Sequence, residues 1–197
     1  MYKIDRDGLL LVAIQTQPAA RARVTETSKQ ALLVKAVRRG EQEAFATLYS
    51  LYAPMVHGIL LARVPWSEVD DLVQDVFLVV LKKLDTLRDD DAFGGWLAMI
   101  ARNRAMDFHR RNRETEELSD EVAAHNTPDD RREAAHVLEV ICGLPEAYRE
   151  TLVLRLVEGM SGPEIAERTG LTPASVRVNL HRGMKLLRNK LGMEGLA

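Results

Sequence analysis

The sequence predicts an all-α protein in which two small helical domains are joined by an acidic linker. Aromatic residues make up only 5% of the 197 residues, and Leu, Ala, Val, Glu and Arg dominate, which favours helices over sheets. Apolar residues recur at steps of three and four along most of the chain. Charge also changes sign in long blocks. These patterns predict an N-terminal extension of unassigned role over residues 1–28, a first domain over 29–113, a linker over 114–128 and a second domain over 129–197.

Cysteine usage and apolar run length indicate the compartment. Cys142 is the single cysteine, so no intramolecular disulfide is possible and a reducing environment is expected. The longest apolar run, Leu9–Ile14, is far shorter than the ~20 residues that cross a bilayer. It is also too short for a secretory signal, although Lys3 and Arg6 precede it. We therefore expect a cytoplasmic protein without membrane insertion.

Two helices begin the first domain. Helical patterning starts near Ser28 and stops at Gly40, and a second helix is predicted over about Glu41–Val64. Pro54 lies inside the second helix, which predicts a kink or a break at that point.

The third helix has the clearest pattern. Ser67 and Asp70 resemble a capping box, and seven apolar residues then fall on one helical face: Val69, Leu72, Val73, Val76, Phe77, Val80 and Leu84. The polar turn Asp85–Asp91 ends this helix, and a fourth runs over about Ala92–Arg113. Core or edge packing is expected for the aromatic and apolar residues Trp66, Phe93, Trp96, Leu97, Ile100 and Phe108.

The acidic charge of residues 114–139 and the position of Pro145 predict the linker and the first helices of the second domain. Residues 114–139 carry nine acids against two arginines, and the apolar periodicity of 114–128 is weak. A helical unit then begins near Asp129 and continues through Leu144. Pro145 suits a first helical position, and its helix is expected to reach about Glu158 before Gly159 ends it.

Residues 161–191 predict a helix-turn-helix. A capping box opens a short helix over Gly162–Arg168, a glycine turn follows, and an N-cap and a proline open a second helix; these signals are Ser161, Glu164, Gly170, Thr172 and Pro173. In the second helix, the inward positions are Val176, Leu180, Gly183 and Leu187. The opposite face presents Ala174, Arg177, Val178, His181, Arg182 and Lys185.

The chemistry of that outer face suits DNA. Residues 170–191 carry five basic residues and no acid. Arginine pairs with guanine in the major groove, and Val178 can touch a thymine methyl group. An ordinary helical hairpin with a solvated basic face is the alternative.

Two further surfaces are open to two interpretations each. The third helix presents Asp71, Gln74, Asp75, Leu78 and Lys82, which indicates either a docking surface for a basic partner or a normal acidic face. The fourth helix aligns Arg102, Met106, His109, Arg110 and Arg113 in a stripe that fits a phosphate backbone or water equally well.

Several motifs together resemble a known family. The runs in residues 70–77, 93–97, 100–103 and 107–113 look like domain 2 of extracytoplasmic-function sigma factors of the sigma-70 family. The motifs at Leu144–Glu146, Ile165–Ala166, Gly170, Ser175–Arg177 and Leu180–Arg182 resemble domain 4 of the same family. The resemblance covers about residues 30–191, with the motifs in the right order.

The resemblance implies a transcription initiation factor, often tied to stress responses, that has no enzymatic activity. Its partners would be core RNA polymerase, promoter DNA and an anti-sigma factor. Docking on the polymerase would use Asp71, Leu72, Gln74 and Asp75. The −10 element would be opened and read by Asn103, Arg104, Asp107, Arg110 and Arg111. The −35 duplex would be read by Arg177, Val178, His181, Arg182 and Lys185.

This chain departs from the family pattern at three places. Gly94-Gly95 stands where relatives carry basic or polar residues, Val178-Asn179 replaces a Ser-Arg pair, and Gly183-Met184 replaces a small residue followed by arginine. Two rival functions remain: a promoter-binding regulator that uses the helix-turn-helix alone, and a sigma mimic that sequesters an anti-sigma factor.

Enzymatic and metal chemistry have no motif in the sequence. The five histidines show no ligand spacing with Cys142 or with paired carboxylates, and no phosphate-binding glycine loop or nucleophile elbow is present. Cys142 fits a core position, and Asp89–Asp91 fit a helix N-terminus. We expect no cofactor and no metal.

Overall fold

A computed structural model describes residues 19–115 and 129–192, with side chains over 29–112 and 134–192. This part of the chain contains eight α-helices, two short 3-10 turns and no strand. The helices are α1 (Ala19–Arg38), α2 (Gln42–Leu61), α3 (Trp66–Lys83), α4 (Phe93–Thr115), α5 (Asp129–Cys142), α6 (Glu146–Leu156), α7 (Gly162–Thr169) and α8 (Pro173–Lys190). The predicted all-α class is confirmed.

The first domain is built around α2, which packs against α1, α3 and α4. Tyr52, Met55 and Ile59 of α2 are buried, and Phe93 and Leu97 of α4 are fully buried opposite them. By length and composition α2 would also suit a membrane span, but half of that segment is packed inside the protein. Its apolar character is accounted for by its place at the centre of the core.

The turn between α3 and α4 is held by α1. Arg38 of α1 donates to the carbonyl oxygen of Leu87 at 2.6 Å and forms an ion pair with Asp90. Asp89 caps the second 3-10 turn by accepting from the backbone N–H of Asp91 at 3.0 Å. The acidic segment Asp89–Asp91 is therefore a turn at the start of α4 that is capped by Asp89 and held in place by Arg38.

In the second domain, α8 lies across α6, α7 joins the two, and α5 packs on α6 and α8. Leu152, Val153 and Leu154 of α6 are completely buried, together with Ile165 of α7. Gly183 lets α8 come close to α6, because a Cβ at this position would lie 3.0 Å from Leu152 Cδ1. The inward positions predicted for α8 are confirmed: Val176, Gly183 and Leu187 are buried and Leu180 is half-buried.

Several local predictions are wrong. Helix α1 begins at Ala19 instead of near Ser28, because its first turns hold strong helix formers that carry no apolar stripe. Ser67 does not cap α3: Pro65 occupies the N-cap, and the Ser67 hydroxyl donates to Glu68. Trp66 is 75% exposed and is not a core residue.

Other boundaries differ by smaller amounts. Helix α2 continues through Pro54 without a break. Pro145 is the N-cap of α6 and not its first residue, and α6 ends at Leu156, before Glu158. Residues 1–18 of the predicted extension (1–28) and residues 116–128 of the predicted linker (114–128) lie outside the described residues.

Candidate nucleic-acid and polymerase interfaces

The helix-turn-helix is formed by the local signals that predicted it. The Ser161 side chain accepts from the backbone N–H of Glu164, and the Glu164 carboxylate accepts from the backbone N–H of Ser161 at 2.8 Å. Gly170 ends α7 with a φ of +73°, a conformation that side-chain-bearing residues rarely adopt. Thr172 then caps α8 by accepting from the N–H of Ser175 at 3.1 Å.

The outer face of α8 is exposed and basic. The predicted −35 residues all lie on it and are exposed: Arg177, Val178, His181, Arg182 and Lys185. Val178 is 41% exposed, which leaves an apolar surface between cations. No acidic side chain occurs within α8. This face combines phosphate-binding charge with donors and a methyl surface for base edges.

The outer face of α3 is mixed. Asp71 and Gln74 are exposed, and Leu78 and Leu81 are 53% and 50% exposed. Leu81 was not singled out in the sequence, either for the apolar face or for the outer face of this helix. Leu72, in contrast, lies in the core. A surface of this kind offers carboxylates around an apolar centre.

Asp75 and Arg104 join the third and fourth helices. The Arg104 guanidinium forms an ion pair with the Asp75 carboxylate, and both side chains are partly exposed. The sequence had placed Asp75 on the polymerase face and Arg104 on the −10 face. The structure brings these two residues together, so the two predicted surfaces meet at this ion pair.

The other predicted −10 residues line the exposed side of α4. Asn103, Arg110 and Arg111 are exposed, and Asp107 accepts from Arg110 at 2.9 Å. Met99 is 49% exposed and Met106 is 61% exposed. Of these two, only Met106 was singled out in the sequence analysis. They add flexible apolar contacts beside Asn103. The side chain of Arg113 lies outside the described residues.

Two members of the basic stripe on α4 are already paired. Arg102 donates to the Glu150 carboxylate of the second domain at 2.6 and 3.0 Å. His109 Nε2 lies 2.7 Å from the carbonyl oxygen of Arg63. The stripe is therefore only partly available to a phosphate backbone in this arrangement.

A charged cluster between the two domains was not predicted. The Glu150 carboxylate, only 5% exposed, also accepts from Arg63 at 2.7 Å. Burial acts to raise the pKa of Glu150, but the hydrogen bond and charge of Arg102, with those of Arg63, hold that pKa below its ordinary value. Glu150 is thus a carboxylate held between two guanidinium groups.

A second pair links the domains through a histidine. His57 Nδ1 of α2 lies 2.6 Å from a carboxylate oxygen of Glu158, which follows α6. The hydrogen bond to Glu158 raises the pKa of His57 above its ordinary value, although burial opposes the shift. Asp70 adds a smaller electrostatic contribution in the same direction.

The described residues offer no metal site. No group of three or more His, Cys, Asp or Glu side chains within them is arranged around a common point. Burial raises the pKa of the Cys142 thiol, which disfavours the reactive thiolate.

Known proteins resemble this chain over most of its length. The family models described as Sigma-70 region 2 and Sigma-70, region 4 match residues 48–115 and 135–187. RNA polymerase sigma factor CarQ of Myxococcus xanthus is 34% identical over 162 residues, which cover 79% of this chain and 93% of CarQ. An ECF RNA polymerase sigma-E factor of Haemophilus influenzae is 29% identical over 176 residues, which cover 81% and 93% of the two chains.

Solved structures show the same architecture. The structure of CnrH in complex with the cytosolic domain of CnrY matches with a TM-score of 0.60 and 27% identity, covering 84% of this chain and 99% of CnrH. Sigma factors are transcription initiation factors that bind core RNA polymerase and promoter DNA and are not themselves enzymes. The two matched regions, in order on two helical domains, show that this chain belongs to the extracytoplasmic-function sigma factors of the sigma-70 family.

Proposed function

We propose that the second domain reads the −35 element, that α4 opens and reads the −10 element, and that the outer face of α3 docks on core RNA polymerase. The observation that carries the proposal is the acid-free, fully exposed outer face of α8, presented by a capped helix-turn-helix in the same chain as an exposed apolar and acidic face on α3. A regulator that uses only a helix-turn-helix has no need of the second surface.

The −35 contacts would come from the first three turns of α8. Arg177 and Arg182 carry donors for guanine edges, and Val178 offers a methyl surface for thymine. Lys185 lies further along the helix and suits a phosphate, which positions the helix without specifying sequence. Val178 departs from the serine of the family pattern that the sequence resembles, so the base preference at this position would be this chain's own.

The polymerase contact would use Asp71, Gln74 and Leu78 at its centre. Leu78 and Leu81 together provide the apolar area that a stable interface buries, and the acids select a basic partner. Leu72 supports this face from the core side. Asp75 lies at its border, where it is shared with Arg104.

The −10 contacts would come from Asn103, Asp107, Arg110 and Arg111 on α4. Separated strands expose base edges and stacking faces, which amide, guanidinium and methionine side chains can bind. Arg104 would act through its ion pair with Asp75, aligning α4 with the docked α3. The chain would work in the cytoplasm, and an anti-sigma factor would be a further partner, since the similar protein CnrH was solved in complex with the cytosolic domain of CnrY.

Two substitutions separate the proposed roles. Arg182→Ala removes a donor from the −35 face, and we expect lower promoter-specific transcription with unchanged affinity for core polymerase. Asp71→Arg reverses a charge on the docking face, and we expect weaker polymerase binding with unchanged folding. Arg39→Ala and Glu139→Arg are the matched controls, because they make similar charge changes at exposed side chains away from both surfaces.

Run-off transcription and co-migration with core polymerase measure the two properties independently. Equal loss of both activities in Arg182→Ala would remove its −35 role. Unchanged polymerase affinity in Asp71→Arg would remove the docking assignment. A chain that co-migrates with core polymerase but supports no transcript would favour the sequestering mimic instead.

A further inference from the structure

Two methionine side chains lie exposed on the outer face of α4. Met99 is 49% exposed and Met106 is 61% exposed. Three other methionine side chains are described: Met55 and Met160 are buried, and Met184 is half-buried. Within the described side chains, the two thioethers that small solutes reach most easily are therefore those on α4.

The two methionines share one stripe with two of the proposed −10 residues. At 3.6 residues per turn, four side chains of α4 fall within an arc of about 60°: Met99, Asn103, Met106 and Arg110. All four are exposed. The opposite side of the helix is represented by Ala101, which is completely buried. The methionines therefore lie at the centre of the solvent face, on either side of Asn103.

A hydrophobic side chain in this place has a chemical consequence. Methionine is flexible and polarizable, and it adapts to the flat surfaces of a partner such as a nucleic-acid base. Oxidation of its sulfur gives methionine sulfoxide, which is polar and carries a hydrogen-bond acceptor. An oxygen added to Met99 or Met106 would therefore lie within the surface proposed to bind the −10 strand.

Hydrogen peroxide brings about this change without a catalytic group. A sulfur lone pair attacks one peroxide oxygen, and the S–O bond forms as the O–O bond breaks. The proton of the transferred oxygen passes to the departing oxygen, which leaves as water. Sulfur loses two electrons and peroxide gains them. Methionine sulfoxide reductases reverse the oxidation, with thiols as the reductant.

A sulfoxide at position 106 would also act on a neighbouring cation. Residues four apart are neighbours on a helix surface, so the new oxygen would lie beside Arg110. The Arg110 side chain is 71% exposed, and its guanidinium donates to Asp107 at 2.9 Å. A second acceptor beside Arg110 competes with DNA phosphates for its remaining donors.

We propose that Met99 and Met106 form a reversible oxidation site, at which peroxide lowers the affinity of α4 for promoter DNA. Helix α3, which carries the proposed polymerase face, contains no methionine. The oxidised chain therefore still docks on polymerase but opens promoters less well. The selective oxidation is independent of the proposed function, whereas its effect on DNA rests on the −10 role of α4.

Oxidation of the chain alone, before it meets polymerase, tests the proposal. The chain is treated with dilute hydrogen peroxide, catalase removes the excess, and peptide mass spectrometry locates each added oxygen. The double variant Met99→Leu/Met106→Leu is the resistant chain, because leucine is apolar and a good helix former. Met184→Leu is the matched control, since it removes a half-buried thioether from the second domain. Each chain is compared with its own untreated sample, so that any effect of leucine itself cancels.

Transcription by holoenzyme assembled with untreated core polymerase gives the readout. Total genomic DNA serves as the template at limiting holoenzyme, and promoter-specific 5′ ends are counted. If each sulfoxide costs as much as exposing one methylene group, transcription should fall about fourfold for one sulfoxide and roughly fifteenfold for both. Met184→Leu should show the same fall, the double variant should show none, and reductase treatment should restore the activity. Co-migration with core polymerase should be unchanged.

Three results would overturn the proposal. The first is oxidation of other methionines in preference to Met99 and Met106, and the second is sulfoxides at both positions without a fall in transcription. The third is an equal fall in the double variant, which would place the cause elsewhere in the chain. Failure of the proposed function would be recognised separately, as a lack of promoter-specific transcripts in every untreated sample, and it would overturn the effect on DNA as well.

Discussion

The interaction free energy between Glu150 and Arg102 should be large enough to measure from changes in the free energy of unfolding. The Glu150 carboxylate is 5% exposed and accepts at 2.6 and 3.0 Å from Arg102. Hydrogen bonds to charged groups contribute about 1.5–3 kcal/mol. The Arg102 side chain is 29% exposed, so water regains part of that contribution when the pair is broken. We expect Glu150→Gln to destabilise the chain by about 2 kcal/mol and the pair to couple by about 1–2 kcal/mol.

A double-mutant cycle isolates this coupling. Glu150→Gln, Arg102→Met and the double variant are compared with the unsubstituted chain by urea unfolding, followed by circular dichroism. Arg63 is unchanged in all four chains, so the effect of the Glu150 substitution on the Arg63 hydrogen bond enters both with and without Arg102 and cancels from the coupling. A coupling below about 0.5 kcal/mol is the range of independent sites and would refute the account of this contact.

Three further outcomes are expected. Ser161→Ala removes the side-chain half of the capping box and should cost about 1 kcal/mol in thermal unfolding, whereas Ser161→Asp, another good cap, should cost less. Gly170→Ala forces an alanine into a φ of +73° and should cost about 1–2 kcal/mol; an unchanged melting temperature would contradict the left-handed turn. The hydrogen bond with Glu158 is the main cause of the raised pKa of His57. The pair therefore contributes its full stability below the ordinary histidine pKa, and this contribution is lost as the pH rises through the raised pKa. The stability gap to His57→Gln should therefore be wider at about pH 6 than at about pH 8.5, and a gap that does not narrow would contradict the pair.

Local chemistry explains why α3, α7 and α8 could be predicted from the sequence. The capping box at Ser161, the αL glycine at Gly170 and the cap at Thr172 involve partners within three or four residues. The apolar face of α3 follows helical periodicity, and its residues from Val69 to Val80 are buried as expected. Such signals need no knowledge of the rest of the fold.

Competition between neighbouring signals explains the errors at the start of α3. Ser67 is a good cap by residue type, but Pro65 has already set the chain in an extended conformation, with φ of −55° and ψ of 143°. The helix therefore starts at Trp66, and Ser67 lies inside its first turn. Trp66, the first residue of this helix, is 75% exposed, and this exposure could not be predicted from its hydrophobicity.

Long-range pairs explain what the sequence left out of the candidate site. Glu150 lies 48 residues from Arg102 and 87 from Arg63, and no periodicity relates them. The basic stripe on α4 was identified correctly as exposed charge at Arg110, but the pairing of Arg102 required the packing of two domains. The Gly94-Gly95 departure was visible in the sequence, but the close approach of α7, which would place a Gly94 Cβ 2.7 Å from the carbonyl oxygen of Arg168, is seen only in the fold.

Run-off transcription with purified core polymerase, on the DNA upstream of this chain's own gene, tests the central claim most directly. The account predicts a transcript with a defined start that appears only when the chain is added and is lost with Arg182→Ala. A chain that co-migrates with polymerase and yields no promoter-specific transcript on this or any other genomic template would contradict the proposed promoter recognition.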